Sequence, residues 1–281
     1  MTTQPIQTQR VALITGANTG IGRVTAYELA LTGVHVFVAC RSLQRTQSLL
    51  DEVRAAKPDA NIEWLALDLA DFQSIRQCAQ EFLSRGLPLH LLINNAGLAA
   101  SKGRTPSGFE LSFGVNHVGT FLLTQLLLER IRHSAPARIV TVASRAHYRA
   151  KGIDWTAVRE STQSATGLPE YCVSKLANVL FSAELARRLQ GTGVTTYSLH
   201  PGVVASDVWR SLPWPLRPLI KLFMISPQEG AKTTLHCATS PDVEKETGLY
   251  YDKCQVKRPS RVASDAALAA ELWQRSEDWV R

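Results

Sequence analysis

Six short runs, Arg10–Thr15, Val34–Cys40, Ile62–Leu67, Leu89–Ile93, Arg138–Val142 and Val194–Leu199, are rich in Val, Ile and Leu, and none alternates apolar with polar residues. A strand with one wet face shows a period of two; a strand without it is buried on both faces, as in parallel sheets covered by helices. Helical stretches separate the runs. In the clearest of them Phe72, Ile75, Ala79 and Phe82 recur on one helical face, with Asp71 placed to cap the start. Strand–helix–strand repetition of this kind predicts an α/β fold with a doubly wound parallel sheet, right-handed crossovers and helices on both faces. A short strand at Leu249–Tyr251 brings the count to about seven, and helices follow from Gln228 and from Ala263. No linker or repeat interrupts the chain, so residues 1–281 are expected to form a single domain.

The first strand runs directly into Thr15-Gly16-Ala17-Asn18-Thr19-Gly20-Ile21-Gly22. Glycine at such a turn lets a pyrophosphate approach the backbone, and a helix starting near Gly20 would aim free amides and its positive end at the phosphates. The spacing is G-x-x-x-G-x-G, not G-x-G-x-x-G, and taken alone it also fits a tight turn. A Rossmann-like dinucleotide site is the expectation, with Gly16, Asn18, Thr19, Gly20, Ile21 and Gly22 as contacts. At the end of the second strand, where NAD-selective sites place an acid for the ribose 2′-hydroxyl, stands Arg41. A guanidinium there suits a 2′-phosphate and so NADP(H), the alternative being an arginine that merely faces solvent.

Composition narrows the class. With 45% hydrophobic and 20% charged residues the chain can bury a large core. No run of about 18 apolar residues is evident, and Met1–Gln9 is polar without a secretory pattern, so neither stable membrane insertion nor secretion is expected. The five cysteines are scattered, odd in number and without metal-ligand spacing, which fits reduced thiols in the cytoplasm and no metal site. The net charge of +7 is dispersed, without a dense basic block or aromatic platform, so it suits a polyanionic cofactor better than nucleic acid.

Further motifs follow the glycine loop in order: Asp68 after the third run, Asn94-Asn95-Ala96-Gly97 after the fourth, Asn116, Ser144 at the end of the fifth, Tyr171-Cys172-Val173-Ser174-Lys175, and Pro201-Gly202 after the sixth. Together they resemble the short-chain dehydrogenase/reductase superfamily from Arg10 to about Tyr251. The resemblance implies that Asp68 and Leu69 lie against the adenine. It also implies that Asn95, Ala96 and Gly97 stand beside the nicotinamide-side ribose, and that Pro201, Gly202, Val204 and Ser206 complete the cofactor site. It implies that Asn116, Ser144, Tyr171 and Lys175 form the catalytic set, with Tyr171 and Lys175 also touching the cofactor.

The chemistry explains these residue types. A carbonyl that receives hydride develops alkoxide character and needs a proton and hydrogen-bond donors. Tyr171 can give the proton in reduction and take it in oxidation, but a free phenol, with a pKa near ~10, is a weak acid at neutral pH. Lys175, one helical turn on, is expected to lower that pKa, and Ser144 to donate to the carbonyl oxygen. By resemblance Asn116 would hold a water that relays protons through Lys175.

The phrases around these motifs, including Val115-Asn116-His117-Val118-Gly119 and Ser174-Lys175-Leu176-Ala177-Asn178-Val179-Leu180-Phe181, look like the retinol dehydrogenase branch. That implies NADP(H)-linked interconversion of lipophilic aldehydes or ketones, retinoid-like or medium-chain, with their alcohols. Membrane-bound members of that branch begin with an apolar anchor, and this sequence does not show one. Arg145 is a further departure, adding charge near the pocket mouth. Residues 206–227, with Trp209, Trp214 and several prolines, are expected to form a substrate lid, though a core-packing or membrane-docking segment would read the same way. The candidate substrate pocket is thus Ser144, His147, Trp209 and Trp214, with a structural histidine an equal reading of His147. Association as a homodimer or homotetramer through the helices around Phe113–Leu127 and Tyr171–Leu189 is the family's implication. A non-catalytic NADP(H)-binding sensor or scaffold is the alternative, against which the tyrosine–lysine pair argues.

Overall fold

In the computed structural model, which describes residues 9–202 and 225–281, the apolar runs form strands displaced by no more than two residues from their sequence positions. They are β1 (Val11–Thr15), β2 (His35–Cys40), β3 (Ile62–Ala66), β4 (Leu91–Asn94), β5 (Ala137–Val142), β6 (Val194–His200) and β7 (Leu249–Asp252). All of these pair in parallel. An eighth strand, β8 (Gln255–Val256), adds an antiparallel edge to β7 through a turn in which Lys253 and Cys254 have φ of 54° and 60°. A hairpin this short carries no periodicity, which is why the sequence does not announce it.

The strand order is β3-β2-β1-β4-β5-β6-β7-β8. The chain winds outward from β1 to β3 and then crosses back to set β4 on the other side of β1. At that reversal the loops part and leave a crevice beyond the carboxyl ends of β1 and β4. The helices are α1 (Gly20–Leu31), α2 (Leu43–Ala56), α3 (Phe72–Ser84), α4 (Leu111–His133), α5 (Leu168–Arg188), α6 (Pro227–Thr239) and α7 (Ala266–Val280).

Each strand feeds two cores. Ile14, Val36 and Val38 pack with Leu29, Leu49 and Val53 on one face of the sheet. Leu13, Phe37 and Leu92 pack with Phe82, Phe121 and Leu180 on the other. Neighbours such as Leu13 and Ile14 thus point to opposite cores, so neither can be polar. Each such side chain contributes about 1.5–3 kcal/mol by leaving water. The capped helix is α3: the Asp71 carboxylate accepts from the Gln73 N–H at 2.9 Å, and Ile75, Cys78, Ala79 and Phe82 are buried.

By length and composition α4 could cross a membrane, with a mean hydropathy of 1.3 over its best window, a run that the sequence reading passes over. That window is 78% buried inside the fold, so its apolar surface is already covered by protein. Part of the cover is α7, which lies where the resemblance puts subunit contacts. The Trp273 ring sits 5.0 Å edge-on from Phe121 and 6.0 Å stacked against Phe181, and Ser276 Oγ lies 2.9 Å from His117 Nε2. Val204, Ser206, Trp209 and Trp214 lie outside the described residues, as does the expected lid of 206–227 apart from its last three positions.

Candidate active site

The glycine loop is held by clamps on its backbone. Thr15 Oγ1 accepts from the N–H groups of Asn95 and Ala96 at 3.1 and 3.0 Å, and the Asn95 amide donates back to the carbonyls of Thr15 and Gly16 at 2.8 and 3.1 Å. Gly16 turns with φ +66°, and a Cβ there would stand 2.8 Å from the Ala96 Cα. A Cβ on Gly22 would stand 2.3 Å from Asn95 Nδ2 and 2.7 Å from the Gly16 carbonyl. The loop therefore lies close on the β4 turn, with no room for a side chain at Gly16 or Gly22. Thr19 begins α1 in an extended conformation without a side-chain cap. The first-turn amides are left open toward the crevice, an arrangement that receives phosphate.

A cavity of about 800 Å³ runs from this loop to the end of β5. Gly16, Asn18, Thr19, Ile21 and Gly22 line its first part, then Arg41, Asp68 and Leu69, then Asn95, Ala96 and Gly97. Pro201 and Gly202 line it as well. Arg41 is exposed at the rim, next to Ser42, whose hydroxyl caps α2 by accepting from the Arg45 N–H at 3.3 Å. The Asp68 carboxylate is oriented by the Ala70 N–H at 3.0 Å. Volume, open helix terminus and glycine cradle together fit an extended dinucleotide. Asn95 differs from its expected part in one respect: both of its amide N–H groups hold the glycine loop, so its side chain acts as a strut.

Ser144, Tyr171 and Lys175 meet at the far end of the same cavity. Tyr171 and Lys175 stand a turn apart on α5, and Ser144 follows β5. The Lys175 ammonium is buried and donates to the Val142 carbonyl at 2.7 Å, 5.8 Å from the centre of the Tyr171 ring. Burial pushes its pKa down to about 8. Burial also pushes the Tyr171 phenol up, with the neighbouring Ser144 hydroxyl pulling the other way. For both groups burial is the largest influence, and it disfavours the charged form.

Asn116 sits in a π-helical turn of α4, Gly114–Gly119. Its side-chain oxygen accepts from the Leu98 N–H at 2.7 Å, and its amide donates to the Leu98 carbonyl and to Ser174 Oγ, each at 2.9 Å. A Cβ on Gly97 would be 3.3 Å from both Asn116 Oδ1 and Lys175 Nζ, so these two groups converge on one glycine. Both amide N–H groups of Asn116 are thus committed to protein.

His147 is a correction. It is fully buried and does not line the cavity. Its Nδ1–H donates to the Ser144 carbonyl at 2.7 Å, and its Nε2 accepts from the Ser260 N–H at 3.2 Å. The ring packs 4.8 Å from Tyr250, and burial lowers its pKa. It supports the turn that carries Ser144 and lies outside the cavity lining among the described residues. Arg145 does line the cavity, and Asp252, at the end of β7, accepts from its Nε at 2.8 Å. Sequence reasoning missed Asp252, Arg149 and the apolar wall of Leu98, Leu111, Val115 and Leu168. Asp252 is remote in the chain, whereas Leu98, Val115, Arg149 and Leu168 each stand within five residues of a motif already singled out.

Residues 10–214 match the family model for short chain dehydrogenases. The chain is 46% identical to retinol dehydrogenase 12 of Homo sapiens over 267 residues, covering 94% of this chain and 84% of that one. It is 44% identical to dehydrogenase/reductase SDR family member 13 of Bos taurus, covering 95% of this chain and 72% of the relative. Among solved structures, an uncharacterized protein from Mycobacterium paratuberculosis superposes with a TM-score of 0.75 at 32% identity, covering 97% and 93% of the two chains. A protein from Beutenbergia cavernae described as an NAD(P) dependent gluconate 5-dehydrogenase, with NADP bound, gives 0.69 at 25% identity, covering 87% and 94%.

Proposed function

Because the chain belongs to the short-chain dehydrogenase/reductase family, in its retinol dehydrogenase-like branch, and is therefore an oxidoreductase that works with a nicotinamide cofactor, we propose that it interconverts a lipophilic aldehyde or ketone and the corresponding alcohol with NADP(H). The observation that carries this reading is one continuous cavity with an open helix terminus at one end and Ser144, Tyr171 and a buried Lys175 at the other. The likeness to retinol dehydrogenases supports an apolar substrate, as does the wall of Leu98, Leu111, Val115 and Leu168.

The nicotinamide, when bound, supplies or accepts hydride at the substrate carbon. The protein's own part is to hold and protonate. Ser144 Oγ donates to the substrate oxygen, and Tyr171 Oη delivers a proton to it in reduction and removes one in oxidation. A buried cation within one helical turn favours the phenolate that remains. Lys175, fixed by Val142, is that cation. Asn116 keeps the Leu98 backbone and Ser174 in place behind it. Arg41 stands for a 2′-phosphate in the position where an acid would select NAD.

The test is to follow NADPH absorbance with the full chain and a panel containing retinal, medium-chain aldehydes and a polar sugar aldehyde. Oxidation of NADPH with the apolar members is expected, with NADPH preferred over NADH. Arg41→Asp should cut that preference about 10–100-fold. Tight NADPH binding without turnover of any carbonyl would refute the enzyme reading and favour a sensor.

A further inference from the structure

We propose that Arg145 and Arg149 form an anion-binding arm of the substrate pocket, so that the preferred substrate pairs an apolar body with a carboxylate. This rests on the oxidoreductase reading above and names the substrate class within it. Both residues lie on the single 3₁₀ turn Arg145–Arg149 that follows Ser144. Both line the cavity, at the end opposite the glycine loop and Arg41.

The two guanidinium groups are prepared differently. Arg145 is 53% exposed, whereas its partner Asp252 is 5% exposed, and only Nε is engaged, at 2.8 Å. A buried carboxylate gripping the stem side of the guanidinium fixes its direction and leaves the terminal nitrogens without a partner among the described residues. Arg149 is exposed and makes no ion pair among the described residues. The Glu170 carboxylate accepts from the Ser164 N–H at 2.8 Å and from the Ser164 hydroxyl. Of the two guanidinium groups, only that of Arg145 is held by a carboxylate among the described residues, that of Asp252.

Leu98, Leu111, Val115 and Leu168 give this end an apolar stretch. A wholly hydrocarbon ligand would cover the guanidinium groups and leave them unpaired, whereas a carboxylate would satisfy them with charge-assisted hydrogen bonds. The glycine loop and Arg41 already provide for the cofactor phosphates at the other end, so the arm is left to the substrate.

The experiment compares a medium-chain aldehyde bearing an ω-carboxylate with its methyl ester, using the full chain and NADPH. The acid should exceed the ester in kcat/KM by about tenfold or more at low salt. That ratio should fall as NaCl is raised to about 0.5 M. Arg149→Gln and Arg145→Gln should each bring the ratio toward one. A wild-type ratio at or below one, with the ester turned over, overturns the arm and leaves the oxidoreductase reading intact. Failure to turn over any aldehyde despite NADPH binding overturns that reading and the arm with it. A high ratio that survives both substitutions removes the assignment from these residues. Loss of NADPH affinity in Arg149→Gln, measured by fluorescence titration, would give the arginine to the cofactor instead and also overturn the proposal.

Discussion

At the glycine-loop end the cavity wall is backbone, and at the Ser144 end it is side chain. Gly16 and Gly22 meet the crevice with main-chain atoms, held by Thr15 and Asn95 at distances that leave no space for a Cβ. Around Ser144 the wall includes the titratable groups Tyr171, Lys175, Arg145 and His200, gathered from α5, β6 and the turn after β5, with Asp252 of β7 holding Arg145. A backbone wall tolerates almost no substitution but is indifferent to pH. A side-chain wall admits substitution one residue at a time and responds to each proton.

Three measurements would break or sharpen that contrast. The largest effect is expected from Tyr171→Phe, which removes one hydroxyl and leaves the packing intact. Turnover should fall about 10²–10⁴-fold while NADPH affinity changes far less, and a variant with near-normal turnover would end the assigned role. Next comes Gly22→Ala. Its methyl would collide with Asn95 Nδ2 and the Gly16 carbonyl, so the loop must lift from the β4 turn. NADPH affinity should drop about a hundredfold by fluorescence titration, and retention of affinity would mean that the loop is softer than its contacts imply.

The smallest effect concerns protons. Burial, with help from Arg145, His147 and Lys175 and against the pull of Asp252, pushes the His200 pKa down to about 4. The unfolded chain takes up this proton from about pH 6.5 downward, whereas the folded chain refuses it until about pH 4. Stability present above pH 6.5 is thus lost as the pH falls, by about 2 kcal/mol from this group at pH 5. Urea titrations at both pH values should show the loss, and His200→Asn should lessen it by that amount. An unchanged slope would show that His200 finds a proton partner in the folded state.

What was legible from sequence follows the same division. The strands could be read because Leu13 and Ile14 must both be apolar to serve two cores, and α3 because Asp71 and the Ile75–Phe82 spacing are local. The glycine loop could be read because close backbone approach is itself a residue type. Ser144, Tyr171 and Lys175 could be aligned as motifs, and the fold brings them to one place. The state of that place could not be foreseen. Whether Lys175 acidifies Tyr171 depends on desolvation that only packing reveals. His147 looked available because it follows Ser144, yet Ser260 and Tyr250, more than a hundred residues later, close over it. The Asp252 partner of Arg145 is equally remote in sequence and became a neighbour only through the β6–β7 pairing of His200 with Asp252.

The helix that ends the described chain carries its own lesson. By seating Trp273 between Phe121 and Phe181, and Trp279 near Phe113 at 5.9 Å, α7 gives the long central helices a neighbour from within the same polypeptide. A second molecule wishing to dock on those helices would first have to evict it. Proteolytic clipping ahead of Ala266 would accordingly bare an aromatic strip on those helices.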